Sequence, residues 1–94
     1  MPAAILTFHL RLTGCSSLKE KRSIVKPIIA RLHKEFNLSA AEVDLQDHWQ
    51  ETVITCAMAG SDRVFLERAM HEVLAFTARQ WPDLPIFAET LEIW

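Results

Sequence analysis

Residues 6–36 read LTFHLRLTGCSSLKEKRSIVKPIIARLHKEF, and the change of period inside this stretch decides the fold. In its first seven residues apolar and polar side chains alternate. That places Leu6, Phe8, Leu10 and Leu12 on the inner face of a strand and Thr7, His9 and Arg11 on the outer face. Gly14 breaks the pattern. From Leu18 the apolar residues Leu18, Val25, Ile28, Ile29, Leu32 and Phe36 gather on one face at about 100° per residue, an amphipathic helix that Asn37 can close. Ser17 as N-cap with Glu20 at the third helical position has capping-box spacing, in which each side chain satisfies a backbone N–H of the other.

The rest of the chain repeats the unit with a hairpin between. Ser39 to Leu45 alternates, with Ala41, Val43 and Leu45 on one side and Ala40, Glu42 and Asp44 on the other. The polar segment Gln46 to Gln50 (QDHWQ) turns, and Thr52 to Ala59 (TVITCAMA) returns with Ile54, Cys56 and Met58 inward. Gly60-Ser61-Asp62 stops that strand and offers an N-cap. Leu66, Ala69, Met70, Val73 and Thr77 then share a helical face flanked by Phe65, Leu74, Phe76 and Trp81. Pro82 and Pro85 end the second helix, and Ile86 to Trp94 forms a last strand whose inward face the pattern does not settle. The order βαββαβ predicts an α+β, ferredoxin-like sandwich: a four-stranded antiparallel sheet with both helices on one face. Right-handed crossovers give the strand order 4-1-3-2. Strand 1 then ends where SSLKEKR begins and where strand 2 turns, so SSLKEKR and QDHWQ are expected to be neighbours.

Length and composition agree with a single domain over residues 1–94, half of them apolar. Cys15 and Cys56 have neither CxxC spacing nor histidines at ligand spacing, so neither a disulfide framework nor a zinc site is suggested and a reducing cytoplasm fits best. His9 and Arg11 interrupt the N-terminal apolar run far short of a membrane span, and no charged signal region precedes it. The net charge of −2 conceals an asymmetry. Between Ser17 and Phe36 six cations face two acids, a balance of +4, while the remainder carries four cations and ten acids, a balance of −6.

These cations are oddly placed, because Lys19, Lys21 and Arg22 occupy the first turns, where the positive end of the helix dipole disfavours them. Lys19, Arg22, Lys26, His33 and Lys34 fall on one side of the helix, the kind of stripe that neutralises phosphates without a base-specific pocket. A solvated helix face is the plainer explanation. Lys21 lies on the other flank of the apolar face and is expected to be the more structural of the three. Pro27 lies opposite that face, so the helix either bends there or divides into two segments. In the hairpin, Trp49 either stacks on a base, with Gln46, Asp47 and Gln50 as hydrogen-bonding partners, or caps the core at the sheet's end. Asp47 is also placed to pair with Lys21 or Arg22.

RNA-recognition modules of the same fold class stack bases on aromatics of their central strands. The open sheet face is expected to show Thr7, His9, Arg11, Val53, Thr55 and Ala57, with Glu42 and Asp44 alongside. It would then lack an aromatic platform and lean acidic. Val53 and Ala57 would instead support sheet-to-sheet dimerisation. Catalysis has little support: Cys15 has no partner histidine close in sequence, and His9, His33, His48 and His71 lie on separate elements.

With SLKEKR (17–22), FNLSAAEVD (36–44) and QDHWQ (46–50) in place, the chain resembles the YlxP family, small bacterial proteins grouped as a domain of unknown function. The resemblance covers roughly residues 3 to 92 and implies a ferredoxin-like fold but no known reaction. Genes of this family often lie beside those for transcription elongation, translation initiation and ribosome maturation factors, which implies an RNA-linked role by association. The family's motif falls here on Ser17, Leu18, Lys19, Glu20, Lys21 and Arg22, and on Asn37, Glu42, Asp44, Gln46, Asp47, Trp49 and Gln50. Two departures are Pro27, where the family's helix usually continues through an ordinary residue, and GCSS (14–17), which lacks a basic residue or histidine before the motif's serine.

The expectation is therefore a non-enzymatic cytoplasmic accessory factor, without cofactor or metal. It would bind structured RNA or the ribosome through Ser17, Lys19, Lys21, Arg22, Lys26 and Lys34, with Asp47, Trp49 and Gln50 alongside. Two alternatives stand beside it: a protein-interaction module or homodimer, and a small-anion site at the start of helix 1.

Overall fold

The computed structural model describes residues 2–45 and 47–94. Its elements run β1 (Ala3–Arg11), α1 (Leu18–Glu35), β2 (Ser39–Asp44), β3 (Glu51–Ala59), α2 (Arg63–Gln80) and β4 (Ile86–Ile93). All strand pairs are antiparallel, and the order β2-β3-β1-β4 is the expected one. Leu6, Phe8, Leu10 and Leu12 are fully buried, as the alternation requires, and meet Ile54, Cys56 and Met58 of β3 on the same side. Val25, Ile28 and Leu32 of α1 and Leu66, Met70, Val73 and Phe76 of α2 close over this face in one continuous core. Both helices thus cover one side of the sheet and leave the other open.

The helix starts follow from their caps. Ser17 is extended and its Oγ accepts from the Glu20 N–H at 3.1 Å, while Asp62 accepts from the Val64 N–H at 2.9 Å. The capping box is only half made, because the Glu20 carboxylate accepts from the Ser16 hydroxyl at 3.1 Å. Helix α1 passes through Pro27 without dividing, with Pro27 on its exposed side. It ends at an extended Phe36 rather than at Asn37. Phe65, expected to flank the core, is 58% exposed.

The largest departure from expectation is in β2, whose two faces are exchanged. Ala40 pairs with Cys56 and Glu42 with Ile54, so Ala40 and Glu42 face the helices, while Ala41 and Val43 are exposed. The cause is electrostatic: the buried Lys21 of α1 needs a carboxylate beneath the helix, and Glu42 supplies it at 3.0 Å. A bulge between Glu42 and Asp44 then carries the chain into the hairpin. The inward face of β4 is also fixed. Leu91 and Ile93 pair with Leu6 and Ala4, and a second irregularity between His9 and Leu10 displaces Phe87 from the regular ladder.

Candidate nucleic-acid interface

Strand β1 ends, β3 and β4 begin, and α1 starts at one end of the sheet, so chemistry-bearing residues from four elements converge there. Two contacts tie this end together: the Leu12 N–H donates to the Gln50 carbonyl at 2.8 Å, and the Lys21 ammonium donates to the Leu45 carbonyl. The expected adjacency of SSLKEKR and the hairpin is present, held by a buried lysine.

Lys21 departs from the expected binding set. Its side chain is 2% exposed, paired with Glu42, and Glu42 also accepts from the Thr52 hydroxyl at 2.5 Å. An ammonium enclosed this way does not reach an external phosphate. It serves as a clamp between helix and hairpin, and its acid is Glu42 rather than Asp47. Leu45, whose carbonyl it holds, has φ of 58°, a left-handed conformation that leucine adopts at a cost; the Asp44 carboxylate accepts from the Leu45 N–H at 2.8 Å and helps to hold it.

The other helix cations behave differently. Lys19, Arg22, Lys26 and Lys34 are all exposed, and none forms an ion pair among the described residues. Arg31 pairs with Glu35 at 3.5 Å and Arg79 with Glu72 at 2.9 Å, while Arg63 and Arg68 of α2 are exposed and, like the four α1 cations, form no ion pair among the described residues. The four α1 cations lie on the flank of the helix beside the edge strand β2, as the 3.2 Å contact of His33 Nε2 with the Ala40 carbonyl on the same flank shows. From Lys19 to Lys34 the stripe extends about 22 Å along the axis, at about 1.5 Å per residue.

The hairpin forms a shallow hollow of ≈ 460 Å³ lined by Asp47, His48, Trp49, Gln50 and Glu51. Trp49 is 50% exposed, so half of its surface is open to solvent at the hairpin. Asp47 is exposed and has no ion-pair partner among the described residues. Gln46 lies outside the described residues. Ser17 is occupied as the N-cap.

A family model described as a protein of unknown function (DUF503) matches residues 3–89. The chain belongs to the DUF503 family. A protein of Bacillus subtilis (strain 168) named "Uncharacterized protein YlxP" is 45% identical over 60 residues, 64% of this chain. The matched stretch spans 65% of that relative's length. On this DUF503 fold the motif positions separate by environment. Ser17, Lys21, Glu42 and Asp44 are engaged in the cap, the clamp and the turn, whereas Lys19, Arg22, Asp47, Trp49 and Gln50 are exposed around the same end.

The open face also differs from expectation. With Glu42 turned to the helix side, the face loses an expected acid, and Phe87 supplies an aromatic that the alternation in β4 did not reveal. Phe87 is 41% exposed, with the Arg11 guanidinium 4.6 Å over its ring and the His9 ring 5.5 Å away, edge-on. Val53 is buried at 4% on this face, while Ala57 is exposed. Cys15 is buried and its thiol lies 3.5 Å from the Ser17 carbonyl, a packed position rather than a surface one. Burial pushes the Cys56 thiol up to about 12. Among the described residues no three metal-ligating side chains come together, and no helix is long and apolar enough to cross a membrane.

Proposed function

We propose that this DUF503 protein is a cytoplasmic RNA-binding accessory factor, acting as a binder rather than an enzyme, and that it grips structured RNA or the ribosome along the outer flank of α1. The observation that carries the reading is the set of exposed cations Lys19, Arg22, Lys26 and Lys34, none with an acidic partner among the described residues. No acid stands three or four positions from any of the four along the helix, whereas Arg31 has Glu35 at that spacing and pairs with it. Four unneutralised cations in a row match the repeating charge of a phosphate backbone, and each contact made would release a counterion. Trp49, half exposed beside the start of the stripe, offers a ring to a base at its end.

Co-sedimentation with ribosomes, and gel shifts with structured RNA, test the reading at low and moderate salt. Binding that weakens with salt, and is lost when Lys19, Arg22 and Lys26 are changed to glutamate, supports it. Absence of binding at low salt, or recovery of a protein partner that survives nuclease treatment without any RNA association, overturns it in favour of an acidic protein surface as the partner.

A further inference from the structure

The open sheet face carries a second feature that the α1 stripe does not use. Phe87 is displaced from the β4 ladder by the irregularity opposite His9 and Leu10, and this leaves an apolar ring 41% exposed beside two β1 side chains. Phe87 is exposed on this face while the neighbouring Leu91 and Ile93 turn toward the core. The Arg11 guanidinium lies 4.6 Å over that ring, and His9 meets it edge-on at 5.5 Å. Glu51 is opposite Arg11 by register, yet Arg11 forms neither an ion pair with it nor any side-chain hydrogen bond among the described residues. A guanidinium fixed over a ring keeps its in-plane donors directed outward.

We infer that the Phe87–Arg11–His9 cluster binds an unpaired RNA nucleotide, its base stacked against the Phe87–Arg11 surface and its phosphate or base edge taking the Arg11 donors. The inference rests on the RNA reading above and deepens it: duplex backbone lies on the α1 flank and the adjoining single strand crosses to the open face. Geometry allows this, because Arg11 and Phe87 stand at the end of the sheet where Lys19, Arg22 and Trp49 also stand. The guanidinium, unpaired among the described residues, suits an anionic partner: of the acids on this face, Glu51 is opposite it by register but unpaired with it, Asp44 lies one strand further beyond Val53, and Glu92 lies four residues beyond Ala88, about 13 Å along the strand. Thr7 and Thr55, hydrogen-bonded to each other at 2.9 Å, occupy the centre of the face between Glu92 and the cluster. Stacking of this kind is independent of base identity, since every base has a π-face.

The test uses the whole chain and two fluorescent probes: an RNA hairpin bearing a 3′ oligouridylate tail of about six nucleotides, and the same hairpin without the tail. Anisotropy titrations compare wild type with Phe87→Ala, Phe87→Trp and Arg11→Ala, and with the Lys19, Arg22, Lys26 charge reversal. The expected result is that Phe87→Ala weakens binding of the tailed hairpin about tenfold, the loss typical of one stacked base, leaves the blunt hairpin unchanged, and is rescued by Phe87→Trp. Equal loss for both probes, or no loss with Phe87→Ala while the α1 reversal still abolishes binding, overturns the inference and leaves the RNA reading intact. No binding of either probe by wild type removes both. Light scattering on the same samples adds one more outcome: a wild-type dimer that Phe87→Ala converts to monomer assigns the face to a second copy and overturns the inference.

Discussion

Lys21→Met removes an ammonium whose side chain is 2% exposed while keeping most of the stem that packs under α1. The substitution leaves the Leu45 carbonyl without its donor and deprives Glu42 of a cation 3.0 Å away. Breaking a buried pair by removing one partner costs about 3–5 kcal/mol. Glu42 retains some solvent, at 19% exposure, and keeps the Thr52 hydroxyl, which places the expected loss nearer 2–3 kcal/mol, within the range for losing a charged hydrogen bond. Against a total stability of about 5–15 kcal/mol this is a large fraction, and urea unfolding measures it directly. The companion variants Glu42→Leu and Lys21→Met/Glu42→Leu complete a cycle. Because the double variant leaves no lone charge, its cost should fall short of the sum of the singles by about 1–3 kcal/mol. A loss below about 0.5 kcal/mol for Lys21→Met, the size expected of an exposed pair, or a cycle that is simply additive, would refute the clamp.

Two further predictions concern the fold. Pro27→Ala should stabilise the protein by about 1–2 kcal/mol in the same assay, since α1 continues past Pro27, whose ring forfeits the bond to the Ser23 carbonyl; a loss of stability would contradict this. Cys56 gives a pH dependence. Its thiol titrates near 12 in the fold against an ordinary 9.0, so the native state holds the proton more tightly, stability from this group is intact below pH 9 and declines as pH rises toward 12. At pH 10.5 wild type should have lost on the order of 2 kcal/mol more than Cys56→Ala, each relative to its own value at pH 8, and equal losses would refute the assignment.

Where one rule governed a segment, the sequence was legible. The alternation from Leu6 to Leu12 and the apolar face from Val25 to Leu32 led to the right elements, layers and strand order, because a single buried face set the period. Ser39 to Asp44 departs from its pattern for the opposite reason: valine inward and glutamate outward is the usual preference, and a buried lysine from another element reverses it. That lysine's environment was half visible, since its position on the wheel separates it from Lys19 and Arg22, but its partner is a tertiary fact. Phe87 was hidden because a bulge resets which side chains share a face, and nothing in the order Ile86, Phe87, Ala88 marks one. Of the proposed interface, the α1 cations and Trp49 were readable from spacing and topology, whereas the Phe87–Arg11 surface required the register of β4.

The measurement that bears most directly on the proposed function is the salt dependence of RNA binding, with and without the α1 cations. Anisotropy of a structured RNA should give log K falling against log salt concentration with a slope of about −3 to −4 for contacts through Lys19, Arg22, Lys26 and Lys34. Changing Lys19, Arg22 and Lys26 to alanine should make the slope shallower by about 3, at roughly 0.9 per lost contact. A slope unchanged by the triple substitution, or no binding by wild type at low salt, would contradict the assignment of the α1 flank to RNA.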